Sequence, residues 1–347
     1  MTLKHVAEKA GVSQAAVSRV LKQDRTFSVS EETRQKILRA ADELGYRSQS
    51  WLDQDIAGPL SRGKVGVFLL YNELTEVEDS YYQIVRLNAK SELEKNGFKA
   101  VEFFRETMEK GMEEIDSFQG IILVGHPGNW FRMEGLRSTL KDMGLPIVCA
   151  DFQLKEEELN ADYVINDFES IVKKALECFE QNGYEEIGYI GTYGIQVPGE
   201  LQEDDRYRYF RKMMEEKERF HEEFVWLAKD SRIENGYELG RKILEEKQKL
   251  PRAIFAENDN MAIGFLRALK ENSVSVPDEV SVIGCNDIQT AAFVTPPLTS
   301  VKIYNHLTGT MAARLLTDRI VTKREEGVKL IVPNRLVIRE SCREGRG

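Results

Sequence analysis

The sequence predicts two folded parts, a small all-α head and a two-lobed α/β body with parallel sheets. The chain has 347 residues, which exceeds the usual size of one compact domain. Apolar residues recur at helical spacing over residues 3–44. After Lys64, short apolar runs alternate with amphipathic helices, and this alternation is typical of parallel sheets covered by helices.

The formal charge differs in sign between the two parts. The whole chain has 48 Lys and Arg against 58 Asp and Glu, a net charge of -10. Residues 1–48 hold 9 of the basic and 6 of the acidic residues, a net of +3, which leaves 39 against 52, or -13, for the remainder. The total charge argues against a nucleic-acid partner, but the slightly basic head is compatible with one.

The composition argues against several other classes. Hydrophobic residues make up 41% and charged residues 31% of the chain, and no apolar run approaches the roughly 18 residues of a membrane span. Charged residues interrupt residues 2–9, so we expect no secretory signal and a cytoplasmic protein. The cysteines are scattered and form no CxxC pair: Cys149, Cys178, Cys285 and Cys342. We therefore expect reduced thiols, no metal site and no cofactor.

The first two helices are predicted from capping residues and apolar spacing. Thr2 can cap the first helix and Gly11 ends it, while Ser13 can cap the second. Their buried faces comprise Leu3, Val6, Ala7, Ala10, Val17, Val20 and Leu21. Ala7, Gly11 and Val17 have the spacing of a helix-turn-helix motif, in which a small residue permits close packing and a glycine makes the turn.

The second helix has a polar outer edge. With Val17 and Leu21 buried, the residues that face outward are Gln14, Ala15, Ser18, Arg19 and Lys22. The arginine fork matches guanine and the glutamine amide matches adenine, each pair discriminating by roughly 1–3 kcal/mol. A third helix is predicted from Ser30 to Gly45. The alternative interpretation is a three-helix bundle with a solvated polar face.

The order of these residues resembles the opening of LacI/GalR-family regulators. The segments that carry the resemblance are LKHVAEKAGVSQAAVSRVL (3–21), TRQKI (33–37) and LGY (44–46). The resemblance implies that Ser13 and Ser18 hold DNA phosphates. It also implies that Gln14, Ala15 and Arg19 read bases. The remaining members of the predicted DNA-contacting set are Thr2, Lys22 and Ile56.

The linker, residues 46–59, departs from the family pattern. Family members usually have a hinge helix here whose leucine wedges into the minor groove, but the usual proline and arginine are missing. Ile56, or alternatively Leu52, could supply the wedge, whereas Asp53 and Asp55 would face phosphate unfavourably. A flexible linker remains the alternative to a hinge helix ordered by DNA.

The body contains apolar runs short enough to be buried strands. These runs are residues 65–70, 121–124, 147–150, 187–190, 253–256 and 280–283. Helices are predicted at residues 82–95, 169–182, 206–217 and 262–272. A nucleotide-binding enzyme would carry a GxGxxG or GxxxxGK[ST] loop after an early strand, and the sequence contains neither. A two-lobed binding cleft is therefore favoured.

Several of these apolar runs are followed in the sequence by polar residues. Asp151 follows residues 147–150, Asn258 follows residues 253–256 and Glu257, and Asn286 follows Cys285. Arg206 stands near the start of a helix. Ligands bind beyond the carboxyl ends of parallel strands, and these groups suit the hydroxyls of a sugar. For any single one, the alternative is a helix cap or a loop residue.

The body also resembles the periplasmic-binding-protein-like effector domains of the same family. The similar segments are NDNMAIG (258–264), VPDEVSVIG (276–284), PPLTSV (296–301) and PNRLVIRES (333–341). The resemblance implies effector contacts by Asp151, Arg206, Asn258 and Asn286, although aspartate is common at the last position. Tyr71 and Tyr81 complete the predicted effector-binding set.

Two shorter segments point to a class of effector. Residues 79–82 (DSYY) and 285–288 (CNDI) resemble repressors of the evolved β-galactosidase type. This resemblance implies a galactoside or a galactose-like effector. A few loop residues can change sugar preference without changing the fold.

The domain boundaries follow from these patterns. We predict a DNA-binding domain at residues 1–47, a hinge or linker at 48–62, and an effector-binding and dimerisation domain at 63–347. Its N-lobe is expected at about 63–164 and 304–331, and its C-lobe at about 165–303 and 332–347.

These expectations combine into a DNA-binding repressor of carbohydrate-utilisation genes, controlled allosterically by a small sugar. A homodimer is expected because one head recognises only a few base pairs of operator DNA. Two alternatives stay open at this point. A sugar-binding protein of a transport system would need an export signal, and an α/β enzyme would need a catalytic pattern around His5, His126, His221 or His306.

Overall fold

The computed structural model describes residues 3–21, 29–30, 32–34, 36–37, 40, 62–131, 133–154, 159–197 and 200–343. The chain divides into two compact units, one of Met1–Gly63 with Glu94–Lys99 and one of Lys64–Leu93 with Ala100–Gly347. The segment before Lys64 contains the head, and the rest of the chain is called the body. Among the helices described, none combines the length and the apolar character that a membrane crossing requires.

The head begins with two short helices, α1 (Leu3–Ala10) and α2 (Gln14–Leu21). Gly11 ends α1 in the left-handed conformation, with φ at 68°, and the Val12 N–H donates to the Ala7 carbonyl at 3.0 Å. Ser13 caps α2, because its Oγ accepts a hydrogen bond from the Ala16 N–H at 3.1 Å. The turn between the helices is therefore fixed by the residues that the sequence pattern indicates.

A buried apolar cluster holds the head together. Its members are Val6, Ala7, Val17, Val20, Ile37 and Ala40. Residues 32–34, 36–37 and 40 are helical, and the Ser30 hydroxyl accepts from the Thr33 N–H at 3.2 Å. The helix-turn-helix prediction is confirmed. The predicted end of the third helix at Gly45 and the linker over residues 46–59 lie outside the described residues.

The body alternates strands and helices. Its strands are β1 (Lys64–Leu69), β2 (Lys99–Phe103), β3 (Phe118–Val124), β4 (Ile147–Ala150), β5 (Asp162–Asn166), β6 (Ile187–Thr192), β7 (Ile195–Val197), β8 (Glu200–Gln202), β9 (Val225–Ala228), β10 (Ala253–Ala256), β11 (Ser281–Asn286), β12 (Thr299–Ile303), β13 (Lys329–Val332) and β14 (Asn334–Val337). Its α-helices are α3 (Thr75–Glu78), α4 (Tyr81–Lys95), α5 (Met108–Glu113), α6 (Pro127–Phe131), α7 (Glu134–Asp142), α8 (Phe168–Gln181), α9 (Asp205–Glu216), α10 (Ile233–Glu245), α11 (Asp259–Glu271) and α12 (Asn305–Thr322).

The strands of the body form two large sheets in the described part of the chain. The N-lobe sheet has six strands in the order β13-β5-β4-β3-β1-β2, and the C-lobe sheet has six in the order β14-β12-β11-β10-β6-β9. The central pairs are parallel, with Val67 opposite Ile122 in one sheet and Ile254 opposite Gly188 in the other. The prediction of parallel sheets is confirmed, with β14 as an antiparallel edge strand on β12.

The chain passes between the two sheets three times. It crosses after β5, where α8 begins to pack against β10, β12 and β14. It returns after β12, because α12 packs against β3, β4 and β5. It crosses once more between β13, which ends at Val332, and β14, which begins at Asn334. Both sheets therefore belong to one body and face each other across the three connections.

Two helices of the C-lobe approach each other backbone to backbone. A Cβ atom at Gly264 of α11 would lie 2.0 Å from the Ile233 carbonyl of α10, and one at Gly236 would lie 2.2 Å from the Met261 carbonyl. Only glycine leaves room for this contact. The pair α10 and α11 thereby holds the start of α11 at the carboxyl end of β10.

A buried ion cluster fixes the edge of the N-lobe sheet. The Asp162 carboxylate has no exposed surface and accepts hydrogen bonds from Arg324 Nη1 at 2.9 Å and Nη2 at 2.7 Å. It also accepts from the Val328 N–H at 2.7 Å, and Arg319 Nη1 lies 3.6 Å away. These contacts hold the turn after α12, so that β13 can pair with β5.

Replacing Asp162 by asparagine should lower the free energy of unfolding by about 3–5 kcal/mol, because two arginines lose a buried carboxylate partner. Urea unfolding of the full chain measures the change. Glu186→Gln is the matched control, since Glu186 pairs with Lys249 on the surface, and it should cost at most about 1 kcal/mol. Equal losses in the two variants would contradict a stabilising role for the Asp162 cluster.

Candidate ligand cleft and nucleic-acid interface

The second helix of the head presents a polar edge to solvent. Gln14, Ala15 and Arg19 are exposed and Ser18 is half-buried, while Val17 lies in the apolar cluster. We call Gln14, Ala15, Ser18 and Arg19 the reading edge. The sequence predicted this division between the buried and outward faces of α2. An exposed amide and an exposed guanidinium on one helix suit contacts to base edges in a major groove.

The other predicted DNA contacts are Ser13 and three residues outside the described part of the chain. Thr2, Lys22 and Ile56, together with the alternative wedge Leu52, lie outside the described residues. Ser13 is exposed at the N-terminus of α2, where its hydroxyl caps the helix. A hydroxyl at a helix N-terminus also suits a phosphate.

The body contains a cleft of about 1450 Å³ between its two sheets. Residues from both sheets line it, including Tyr81 and Asp151 from the N-lobe side and Arg206, Asn258 and Asn286 from the C-lobe side. The strands end at this cleft with their carboxyl ends, as expected for ligand sites on parallel sheets. The cleft therefore brings together five of the six predicted effector residues.

Tyr71 is the predicted effector residue that does not line the cleft. It is buried behind the wall, where its hydroxyl donates to Glu76 Oε1 at 2.9 Å. Its ring stacks on Tyr82, with the centroids 4.9 Å apart, and Tyr82 does line the cleft. Tyr71 thus supports an aromatic wall residue.

Asp151 forms the polar centre of the N-lobe wall. Its Oδ1 accepts from the Tyr81 hydroxyl at 2.9 Å and from Asn166 Nδ2 at 2.5 Å. Burial raises the pKa of the Asp151 carboxyl to about 7, although hydrogen bonds from Tyr81 and Asn166 favour the ionised form. Its backbone is left-handed, with φ at 76°, directly after the end of β4 at Ala150.

Arg206 forms the polar centre of the C-lobe wall. Asp204 accepts from the Arg206 Nε at 2.8 Å and from Nη2 at 2.7 Å, so the two side chains make a bidentate pair. Arg206 Nη1 donates to the Glu257 carbonyl at 3.1 Å, and the guanidinium lies 5.4 Å from the Phe168 ring centroid. Burial alone would lower the pKa of Arg206, but the adjacent carboxylates of Asp204 and Glu257 raise it well above its usual value.

Glu257 extends this cluster toward β6. It is buried, and its Oε2 accepts from the Thr192 N–H at 2.6 Å and from the Thr192 hydroxyl at 2.8 Å. Burial, together with the charge of Asp204, raises the pKa of Glu257 to about 7. The C-lobe wall thus holds one guanidinium between two carboxyl groups.

Asn258 has a structural role as well as a place in the cleft. Its Oδ1 accepts from the Met261 N–H at 2.9 Å and so caps α11. Its Nδ2 donates to the Ser231 carbonyl at 3.1 Å. The sequence left a helix cap open as the alternative at this position, and the structure shows the cap.

Two buried amide oxygens on the cleft walls have no hydrogen-bond partner among the described residues. They are Oδ1 of Asn286, at the end of β11, and Oδ1 of Asn166, at the end of β5. A buried acceptor without a partner is costly. A ligand that donates hydroxyl groups would satisfy both.

His126 lines the cleft as a neutral side chain. Burial lowers the pKa of its imidazole to about 4, and its Nδ1 accepts from the Gly128 N–H at 3.1 Å. It therefore offers hydrogen bonding without positive charge. Among the described residues, no group of three His, Cys, Asp or Glu side chains is placed to hold a metal ion.

The sequence did not single out Asn166, Asp204 or Glu257 as site residues. Asn166 carries the same signal as Asp151, a polar residue at the end of an apolar run, but Asp162 and Tyr163 obscure that run as a strand. Asp204 reads as the N-cap of α9, which it also is. Their second role depends on tertiary contacts that bring them to Arg206 and Asp151.

Comparison with known protein families matches both parts of the chain. Residues 2–49 match the family described as bacterial regulatory proteins, lacI family, and residues 176–342 match a periplasmic binding protein-like domain. The HTH-type transcriptional regulator GalR of Streptococcus thermophilus is 32% identical over 345 residues, covering 99% of each chain. The HTH-type transcriptional regulator GanR of Bacillus subtilis is 31% identical, covering 98% of this chain and 99% of its own.

A solved structure supports the same fold. A complex of the transcriptional regulator CelR with cellobiose aligns with a TM-score of 0.69 and 28% identity, covering 98% of this chain and 99% of that chain. The likeness extends over both the head and the body.

Replacing Asp151 by asparagine should change how stability depends on pH. Between about pH 4, where the unfolded carboxyl titrates, and pH 7, the folded chain retains a proton that the unfolded chain releases, so Asp151 destabilises the fold as the pH rises. The melting temperature of Asp151→Asn relative to the unaltered chain should therefore rise from pH 4.5 to pH 8, as measured by circular dichroism.

The control for this measurement is Asp230→Asn on the cleft wall. The hydrogen bond from Arg232 lowers the pKa of Asp230, so its titration lies below this pH range. The difference in melting temperature between Asp230→Asn and the unaltered chain should therefore stay constant from pH 4.5 to pH 8. If the melting-temperature difference for Asp151→Asn is also constant over this pH range, the pKa of the Asp151 carboxyl is not raised in the folded chain.

Proposed function

The chain belongs to the LacI family of bacterial regulatory proteins, and we propose that it represses carbohydrate-utilisation genes under the control of a small sugar bound in its cleft. It is a DNA-binding transcriptional regulator, and its family is made of regulators rather than enzymes. The observation that carries the proposal is that one chain combines an exposed reading edge with a cleft built for hydroxyl groups.

We propose that the reading edge contacts operator bases. Arg19 can present its fork to guanine O6 and N7, and Gln14 can present its amide to adenine N6 and N7. Ala15 can make only an apolar contact, for example with a thymine methyl group. The helix is held rigidly enough for this, because Val17 and Val20 are buried against Ile37.

One reading edge covers only a few base pairs, so the proposed regulator is a homodimer on two half-sites about one DNA turn apart. In this proposal residues 1–47 bind DNA, residues 48–62 form the hinge, and residues 63–347 bind the effector and dimerise. A protein that acts on operator DNA works in the cytoplasm.

A galactoside or galactose-like sugar is the proposed effector. Carboxylate, amide and hydroxyl groups line the cleft around Asp151 and Arg206, and aromatic rings such as Tyr82 and Phe168 can cover the apolar face of a sugar ring. Binding would close the cleft, rotate the N-lobes of the dimer and change the distance between the heads. Coupling of this kind is worth about 5–150-fold in operator affinity.

The DNA contact is tested by replacing Arg19 with alanine. We expect the specific band in a mobility-shift assay on palindromes near the chain's own gene to be lost, since a bidentate contact to guanine is removed. Lys36→Ala is the matched control, because it also removes one exposed positive charge but lies off the reading edge. Specific binding that survives Arg19→Ala would overturn the assignment of the edge.

The effector contact is tested by replacing Arg206 with alanine. The variant should still shift operator DNA, but the galactoside concentration for a half-maximal response should rise at least tenfold, because the C-lobe wall loses the cation that orients Asp204 and Glu257. Arg211→Ala is the control on the same helix, where the arginine pairs with Glu203. An unchanged response in Arg206→Ala would place the effector elsewhere.

A further inference from the structure

The cleft walls are acidic. Among the described residues that line the cleft, nine carry carboxyl groups and five carry the charge of arginine or lysine. Three of those five are arginines, and each is paired with a carboxylate that also lines the cleft: Arg206 with Asp204, Arg208 with Asp205 and Arg232 with Asp230. The three arginine charges are therefore neutralised by the protein itself, and the remaining two cations are the exposed lysines Lys229 and Lys329.

Arg206 illustrates this neutralisation most clearly. A guanidinium has five N–H groups, and the pair formed by Nε and one Nη is the fork that grips a phosphate or carboxylate. In Arg206 that fork is already occupied, because Asp204 accepts from Nε at 2.8 Å and from Nη2 at 2.7 Å. The Glu257 carbonyl oxygen accepts a hydrogen bond from Arg206 Nη1 at 3.1 Å, and Glu257 Oε1 lies 3.5 Å from Arg206 Nη2.

Both walls also require hydrogen-bond donors from the ligand. Asn166 Oδ1 and Asn286 Oδ1 are buried and have no partner among the described residues. Asp151 adds a carboxylate that faces the same space. A sugar hydroxyl can donate to each of these oxygens, whereas an ionised phosphate group offers only acceptors near neutral pH.

We propose that the effector is a neutral, unphosphorylated sugar, and that Asp204 excludes sugar phosphates by occupying the fork of Arg206. The inference rests on the proposed function, because it names the ligand class of the same cleft. Asp204 is a specificity-determining residue in this account. It holds Arg206 in place, and its charge repels a phosphate that approaches the guanidinium.

The test compares matched pairs of sugars that differ by one phosphate group. The probes are galactose and galactose 6-phosphate, lactose and lactose 6′-phosphate, and cellobiose and cellobiose 6′-phosphate. Calorimetric titration of the full chain at pH 8 gives the dissociation constant of each. In any pair that binds, we expect the neutral sugar to bind at least tenfold more tightly than its phosphorylated partner.

Asp204→Asn then tests the assigned residue. Asparagine can still cap α9 but loses the negative charge, so the preference for the neutral sugar should fall at least fivefold. Glu203→Gln is the matched control, because Glu203 binds Arg211 instead and does not line the cleft. It should leave the preference within twofold. Circular dichroism and the operator shift confirm that each variant is folded.

The outcomes separate this inference from the proposed function. A phosphorylated sugar that binds as tightly as its neutral partner overturns the inference and leaves a sugar-controlled regulator standing. An unchanged preference in folded Asp204→Asn overturns the role of Asp204. If no sugar of any pair binds and none changes the operator shift, the proposed sugar control itself fails. The comparison of sugars on the unaltered chain needs no variant, so it decides the ligand class even if Asp204→Asn does not fold.

Discussion

The fold places the carboxyl ends of two parallel sheets against one cleft, and the ligand site depends on that constraint. Parallel strands all end at the same edge of a sheet, so the residues after β4, β5, β10 and β11 converge without being close in sequence. Three crossings of the chain keep the two edges facing each other. Both walls therefore line the proposed effector site, and a ligand held between them can change how the lobes are arranged.

The cleft is built from charges that the protein has already paired. Arg206 is fixed by Asp204 and Glu257, and Asp151 is fixed by Tyr81 and Asn166. Side chains held in this way are oriented before a ligand arrives, so binding orders few of them. The remaining hydrogen-bonding capacity of the walls lies largely in acceptor oxygens, which is why hydroxyl groups suit the site. The acidic walls of the cleft agree with the charge distribution along the chain, because the excess of acidic residues lies outside the head.

Much of the fold could be predicted from residue spacing. The head follows from the Ala7, Gly11 and Val17 pattern, and six apolar runs locate β1, β3, β4, β6, β10 and β11, which lie inside the sheets. Strands at or near the sheet edges, such as β9 and β13, are short and only partly buried, so their apolar signal is weak. At most of their ends, the predicted helices of the body differ from the observed helices by one residue. The exception is α11, which begins three residues before its predicted start because Asn258 caps it.

The candidate site was predictable where one residue follows one strand, as for Asp151 and Asn286. It was not predictable where the role arises from a tertiary pair. The sequence around Asp204 does not show that its carboxylate pairs with the guanidinium of Arg206, because a helix cap at Asp204 would have the same sequence. Tyr71 illustrates the opposite case, because a tyrosine after the first strand suggests a cleft residue but stands behind Tyr82.

A sugar that binds in the cleft should change the affinity of the head for DNA, and by thermodynamic linkage operator DNA should change the affinity of the cleft for the sugar. The dissociation constant of a galactoside is measured on the free protein and on the protein saturated with operator DNA. We predict that operator DNA changes sugar affinity by the same factor by which the sugar changes operator affinity, within the range of about 5–150-fold. Equal sugar affinity in the two states would contradict it, because the cleft would then bind a ligand without controlling the head.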